Sequence, residues 1–398
     1  MVKPIGPICN LNCRYCFYLE KEALFPPGEH FRMPDEVLES HVRQYIESQD
    51  AAEINFAWQG GEPTLLGVGF FRRVVELQER YAGGRRIRNA FQTNGTLLDD
   101  EWGEFLGRHG FLVGLSLDGP ARLHDAYRID KKGATTFASV MRGMEVLQRH
   151  GVEFNTLTVV NRTNARHPQE VYDFLKSAGS RFLQFIPLVE RVVARAPQGP
   201  PPGLAPPPAI GGSGDGNAQV TEWSVLPAQY GKFLIAVFDE WVRKDVGRVF
   251  VNVFDAALSN WCGADPGVCV FAETCGSAMA IEHNGDVYPC DHYVYPGVRL
   301  GNVLSGALGD MVNSPQQVRF GEAKRDGLPR FCAECEVRFA CQGECPKHRF
   351  LNAPDGEPGL NYLCAAYKRF FAHVDPHMRA MAKLVAQGRA PADIMGMV

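Results

Sequence analysis

The chain has 398 residues, a net charge of −4, 45% hydrophobic and 22% charged residues, which is ordinary for a globular protein with enough chain for a large core. The small charge and the lack of any block of like charges argue against nucleic acid or an anionic membrane as partner. The opening MVKPIGPICN has no apolar signal-peptide core, and the run FLIAVF at 233–238 is far short of a membrane span, so a cytoplasmic address is expected.

A first strand is expected near Val2–Ile8, followed at once by CNLNCRYC, which carries Cys9, Cys13 and Cys16. In a reducing compartment clustered cysteines point to metal or redox chemistry rather than disulfides. Here three of the twelve lie at the front, none follows until Cys262, and nine lie between Cys262 and Cys364. Three thiolates leave a tetrahedral zinc or a fully ligated cluster incomplete. They suit a [4Fe–4S] cubane with one open iron, a zinc site completed by a distant residue, or three core cysteines.

Further strands are expected at 54–58, 87–92, 111–117, 152–160 and 181–189. Between them lie the helix-period segments EVLESHVRQYIES, FFRRVVELQERYA, DEWGEFLGRHG, FASVMRGMEVLQRHG and PQEVYDFLKSAG, several closed by glycine. This alternation implies parallel strands joined by right-handed crossovers, in an open sheet or a barrel of about six units. Chemistry then belongs at the C-terminal ends of strands, where QGGEP, QTNGT and SLDGP fall. The Pro- and Gly-rich text at 196–218 reads as a mobile linker or surface insertion, and an amphipathic helix follows at Ala228–Val242. The expected layout is a core at 1–195, a linker or insertion at 196–220 and a helical connector at 221–261. A cysteine-rich domain at 262–375 and a C-terminal helix or tail at 376–398 complete it.

The later cysteines read Cys269-x5-Cys275-x14-Cys290, Cys332-x2-Cys335-x5-Cys341-x3-Cys345 and Cys364. Eight thiolates suffice for two four-cysteine sites, leaving Cys262 as a packed thiol. Between Cys275 and Cys290, Asn284-Gly285 predicts a two-residue type I′ hairpin that brings those cysteines to its open end. By spacing alone a zinc ribbon is an open alternative.

The three-cysteine loop, with Tyr15 before its last cysteine, and Gly60-Gly61-Glu62-Pro63 after the second strand together resemble the radical S-adenosylmethionine (SAM) superfamily. The resemblance implies an α/β fold: a partial (βα)6 TIM-like radical SAM barrel with a C-terminal cysteine-rich SPASM domain. It also implies that SAM chelates the open iron and is cleaved to methionine and a 5′-deoxyadenosyl radical. Gly60, Gly61 and Glu62 would hold the methionine amino group. Ser116 and Arg128 match SAM-contacting positions; their plain readings are a strand-end cap and a solvated surface arginine. Val189 either lines the adenosine pocket or is a core valine. SPASM spacing implies Cys269, Cys275, Cys290 and Cys345 on one auxiliary cluster and Cys332, Cys335, Cys341 and Cys364 on a second, making three [4Fe–4S] clusters in all.

CNLNCRYCFYLEK, WQGGEPTLLG, QTNGTLL, FLVGLSLDGP and EHNGDVYPCDHYV together resemble the anaerobic sulfatase-maturating enzymes. These oxidise a Cys or Ser of a sulfatase to Cα-formylglycine. The resemblance implies Asp291 as the base, Tyr18 as the residue orienting it and Gln59 on the substrate side. A sulfatase polypeptide with a Cys/Ser-x-Pro-x-Arg motif is the implied substrate, and flavodoxin or ferredoxin the implied electron donor. His283 and His292 are expected to support local structure. The rivals are a radical SAM enzyme modifying another peptide, such as a ribosomal natural-product precursor, and a non-catalytic zinc or redox protein.

Overall fold

The computed structural model describes residues 1–192, 204–209 and 218–397. From the N-terminus come β1 (Val2–Lys3), α1 (Asp35–Glu47), β2 (Glu53–Trp58), α2 (Val68–Tyr81), β3 (Arg86–Thr93), α3 (Asp100–Arg108) and β4 (Leu112–Ser116). Then follow α4 (Ala121–His124), α5 (Phe137–Arg149), β5 (Phe154–Val160), α6 (Pro168–Ser177) and β6 (Phe182–Pro187). Every strand and helix expected between residues 36 and 189 forms, within a few residues of its expected ends. Gly110, Gly151 and Gly179 take positive φ just past α3, α5 and α6, as left-handed helix stops do. The first strand is shorter than expected. Pro4 and Pro7 donate no ladder hydrogen bond, and Gly6, at φ +55, folds back to donate its N–H to the Lys3 carbonyl.

The C-terminal half begins with α7 (Pro227–Lys244), β7 (Phe250–Val251) and α8 (Asn252–Trp261). It continues with β8 (Ala280–Glu282), β9 (Asp286–Tyr288), β10 (Gly301–Asn302), α9 (Leu308–Val312), α10 (Pro315–Asp326), α11 (Arg330–Ala333) and α12 (Arg338–Cys341). β11 (Arg349–Asn352), β12 (Pro358–Asn361) and the long α13 (Cys364–Ala386) close the chain.

The contacts divide the chain into two compact units. The first holds Met1–Leu117, His124–Asn155 and Gly276–Phe320. In it β1, β2, β3 and β4 pair in parallel, and β8 joins β1 with Val2 opposite Ile281 and Lys3 opposite Glu282. β2 buries alternate residues: Ile54, Phe56 and Trp58 lie inside, with the last two rings stacked at 5.8 Å. β8 and β9 form the expected hairpin around Asn284-Gly285, but its turn differs. Gly285 alone takes positive φ (+86) and donates to the Glu282 carbonyl, so three residues, 283–285, make the loop. That is the type I turn with a left-handed glycine, which asks nothing unusual of Asn284.

The second unit holds Asp118–Leu123, Thr156–Cys275 and Gly321–Val398. Its strands β5, β6 and β7 are parallel. Around them α7, α8 and α13 share an aromatic core in which Phe254 stacks on Phe370 and Phe238 meets Trp241. The expected linker falls largely on 193–203 and 210–217, outside the described residues; at its flanks Val192 bridges Leu204 and Arg191 bridges Val220. The two units interleave along the chain, because β8 and its hairpin pair with the N-terminal strand.

Candidate active site

The cysteine loop leaves β1 and is held by backbone and by β3. Asn12 and Arg14 donate their N–H groups to Ile129 and Tyr127, and Cys16 donates to the Cys13 carbonyl. Cys9 Sγ accepts from the Leu11 N–H at 3.3 Å and lies 3.8 Å from Asn94 Nδ2, which also donates to Asn10. Burial first, then the Glu62 carboxylate and the neighbouring Cys13 and Cys16, push the Cys9 thiol up to about 12. Three thiols gathered this way ionise together only beside compensating positive charge, as iron supplies. Among the described residues no three His, Cys, Asp or Glu side chains converge on one ion position. A cubane needs no such convergence, because each thiolate binds its own iron.

Against this loop lies the turn after β2. Gly61 donates to the Gly6 carbonyl at 2.8 Å and Glu62 to the Ile8 carbonyl at 2.9 Å. A Cβ on Gly61 would sit 2.0 Å from the Ile8 oxygen, so only glycine allows this approach. Glu62 is fully buried, and its carboxylate accepts from Thr64 N, Thr64 Oγ1, Thr93 Oγ1 and Asn94 N at 2.6–3.0 Å. Burial raises its pKa and these bonds oppose the rise. The Glu62 side chain therefore braces two loops from inside. Gln59 carries a buried Nε2 without a hydrogen-bond partner.

Tyr15 and Arg128 come together: the guanidinium lies 5.5 Å from the Tyr15 ring, and both residues are buried. The plain reading of Arg128 as a solvated surface residue is thus wrong. Ser116 is buried at the end of β4. Val189 is buried in the second unit, just past β6.

Asp291 follows Cys290 beyond β9, with a partly exposed side chain whose Oδ1 lies 3.9 Å from Lys3 Nζ. Lys3, only 2% exposed, also stands 3.9 Å above the Tyr18 ring. The Tyr18 hydroxyl donates to Glu282 Oε1 rather than to Asp291. A fully buried carboxylate at Glu282 takes that hydroxyl, and Lys3 lies beside Asp291. Burial, then Glu282, holds the Tyr18 phenol well above its ordinary range. His283 packs between Phe25 and Phe31 and pairs its Nε2 with Glu29 at 3.0 Å, and the His292 ring lies 5.3 Å from Phe17.

In the second unit the thiols of Cys332, Cys335, Cys341 and Cys364 act on one another electrostatically, as do Cys269 and Cys275. Burial, then Cys364, pushes Cys332 up to about 11. Cys345 belongs to this unit, and Cys290 to the first. Cys262 is exposed at the end of α8 rather than packed. No disulfide joins any two of the described cysteines.

Residues 4–175 match the Radical SAM superfamily and residues 269–336 an iron-sulfur cluster-binding domain, SPASM. A serine-type anaerobic sulfatase-maturating enzyme of Bacteroides thetaiotaomicron is 47% identical over 99% of this chain and 94% of its own. Another serine-type enzyme, from Klebsiella aerogenes, is 38% identical over 96% and 86%. A cysteine-type enzyme from Clostridium perfringens is 34% identical over 95% and 96%. Among solved structures, native anSMEcpe with bound AdoMet superposes with a TM-score of 0.82 at 34% identity, covering 96% of this chain and 98% of that one. The same protein with AdoMet and the Kp18Cys peptide gives 0.82 at 33%, with the same coverage.

Proposed function

This chain belongs to the anaerobic sulfatase-maturating enzymes, radical SAM proteins with a C-terminal SPASM domain, and on that premise we propose how its residues share the reaction. The enzyme oxidises a Cys or Ser of a sulfatase to formylglycine; in doing so the substrate loses a hydrogen atom, a proton and an electron.

Cys9, Cys13 and Cys16 would hold the SAM-binding cluster. Tyr15, Gly60, Gly61, Ser116, Arg128 and Val189 would contact SAM, while Glu62 supports that surface from within. Cys269, Cys275, Cys290 and Cys345, and Cys332, Cys335, Cys341 and Cys364, would hold two auxiliary clusters, so the chain carries three [4Fe–4S] groups. When bound, SAM and these clusters supply the hydrogen-abstracting radical and an outlet for the electron.

Asp291 takes the proton from the substrate Sγ or Oγ. The supporting observation is its place: one residue from Cys290 and 3.9 Å from the Lys3 ammonium. Lys3 sets a positive charge 3.9 Å from that carboxylate. The Tyr18 ring lies 3.9 Å from the same ammonium. Gln59, with its unspent donor, would meet the substrate peptide. Clustered cysteines without disulfides favour a reducing cytoplasm, where a flavodoxin or ferredoxin would deliver single electrons. No described helix is long and apolar enough to cross a membrane. We retain 1–195 and 262–375 as the functional core and cluster-bearing domains.

Serine-type relatives share 47% and 38% identity with this chain and a cysteine-type relative 34%, which favours acceptance of serine. The test is anaerobic incubation with SAM, a strong reductant and paired Ser- and Cys-x-Pro-x-Arg peptides. Formylglycine from the Ser peptide, with 5′-deoxyadenosine, is expected. 5′-Deoxyadenosine without formylglycine from either peptide would turn the reading toward another peptide substrate.

A further inference from the structure

Two cations are buried in the second unit without a carboxylate within ion-pair distance among the described residues. Lys324, in α10, is 0% exposed and Arg349, at the start of β11, is 5% exposed. An ammonium has three donors and no acceptor, and all three of Lys324's are taken by the carbonyls of Cys269, Val270 and Ala272. The Arg349 guanidinium donates to the carbonyls of Gly343, Gln342, Glu344 and Lys324. Carbonyl dipoles satisfy hydrogen bonds but cancel no charge, and a buried ion left uncompensated is strongly destabilising.

The two cations are joined through backbone, since the Lys324 carbonyl accepts from Arg349 Nη1. Lys324 holds the carbonyl of Cys269, and Arg349 holds the carbonyl of Glu344, the residue before Cys345. The Glu344 carboxylate is itself engaged by His348 Nδ1 at 2.9 Å and Asn361 Nδ2 at 2.7 Å. Among the described residues no carboxylate hydrogen-bonds to Lys324, whose donors go to carbonyls. Its charge makes sense only beside an anionic group that the protein chain alone does not supply.

Resting on the cluster assignment above, we propose that Lys324, with Arg349 behind it, is the built-in counter-charge of the auxiliary cluster ligated through Cys269, Cys275 and Cys345, raising that cluster's reduction potential. A cubane with four thiolates is anionic in both redox states and gains a further negative charge on taking one electron. A fixed cation nearby therefore stabilises the reduced form more than the oxidised form. It makes this cluster a better acceptor for the electron the substrate gives up, which then passes to a soluble one-electron carrier. Through its three carbonyl contacts Lys324 also pins residues 269–272, so charge and ligand loop are set by one side chain. Lys324 is a positioning residue in this scheme, since it touches neither SAM nor substrate.

The test uses the full chain with Cys9, Cys13 and Cys16 replaced by alanine, so that only auxiliary clusters give a signal. Iron content and an EPR-monitored redox titration are compared for this parent, Lys324→Met and Lys324→Arg. The parent should hold about eight irons. In Lys324→Met, the reduced-to-oxidised ratio at fixed potential should fall about tenfold, which is about 59 mV for one electron, and Lys324→Arg should restore it. An unshifted potential in Lys324→Met at full iron content overturns the proposal. If Lys324→Met fails to keep iron, retention by Lys324→Arg supports a charge role, and loss in both variants overturns it in favour of packing alone. A parent without iron overturns the cluster assignment itself.

Discussion

Lys3 and Asp291 stand 3.9 Å apart although 288 positions separate them in sequence, because β1 pairs with β8 and sets Lys3 opposite Glu282. The ammonium touches the Tyr18 ring on one side and the candidate base on the other. Replacing Lys3 by Met removes the positive charge and keeps the chain length. Formylglycine yield should fall about tenfold or more, part of the factor a positioned base supplies, while 5′-deoxyadenosine continues to form. Lys3→Arg should recover part of the loss. Product analysis by mass spectrometry decides, and an unchanged yield in Lys3→Met removes Lys3 from the mechanism.

Tyr18 is bonded to Glu282, so its role is structural at one remove from the base. Tyr18→Phe leaves the Glu282 carboxylate buried without that donor, which should cost about 1–3 kcal/mol of stability. Urea unfolding under anaerobic conditions measures it. Per folded molecule, formylglycine yield should fall less than in Lys3→Met; a larger fall would restore Tyr18 as the orienting residue.

Gly61→Ala tests the close approach of the two loops. With a Cβ placed 2.0 Å from the Ile8 oxygen, the backbone must part, at about 1–3 kcal/mol. The cysteine loop hangs from that contact, so iron should drop from about twelve to about eight per chain. Iron analysis that still gives the full complement would show that the loop does not depend on this turn.

His41 gives a pH prediction away from the site. Burial, with a smaller effect from the N-terminus, lowers its pKa from 6.5 to about 3, and neither ring nitrogen has a partner. The unfolded chain binds a proton below pH 6.5 that the folded chain refuses, so stability is lost as pH falls from 6.5 toward 3. At pH 5.5 that loss is about 1 kcal/mol. His41→Phe, set among Tyr45, Phe56 and Trp58, should flatten the fall in unfolding free energy between pH 7 and 5.5. An equal fall in both proteins would place the acid sensitivity elsewhere.

The local chemistry was legible because it is local. Cys9, Cys13 and Cys16 lie in one loop, Gly60–Glu62 in one turn, and the helix stops at Gly110, Gly151 and Gly179 each act within their own element. The Lys3–Asp291 contact was not, since nothing near Lys3 announces that β1 will pair with a strand beginning at residue 280. The Tyr18–Glu282 bond was hidden for the same reason, since Glu282 comes from that distant hairpin. Arg128 was ambiguous because burial of a charged residue depends on what folds over it. The β11–β12 hairpin went unread, although Asp355-Gly356, with Gly356 at φ +89, carries a turn signal. Lys324 and Arg349 gave no signal at all, because a buried lysine reads like a surface one until its carbonyl partners are seen.

The central claim is that Asp291 removes the substrate proton in a step separable from SAM cleavage. Asp291→Asn keeps the size of the side chain and removes its basicity. The ratio of formylglycine to 5′-deoxyadenosine, measured on one anaerobic reaction with SAM and the Ser-x-Pro-x-Arg peptide, tests this directly. With Asp291 as the base, 5′-deoxyadenosine should persist in this variant while formylglycine falls by about a hundredfold or more. A ratio equal to that of the unaltered enzyme would contradict it.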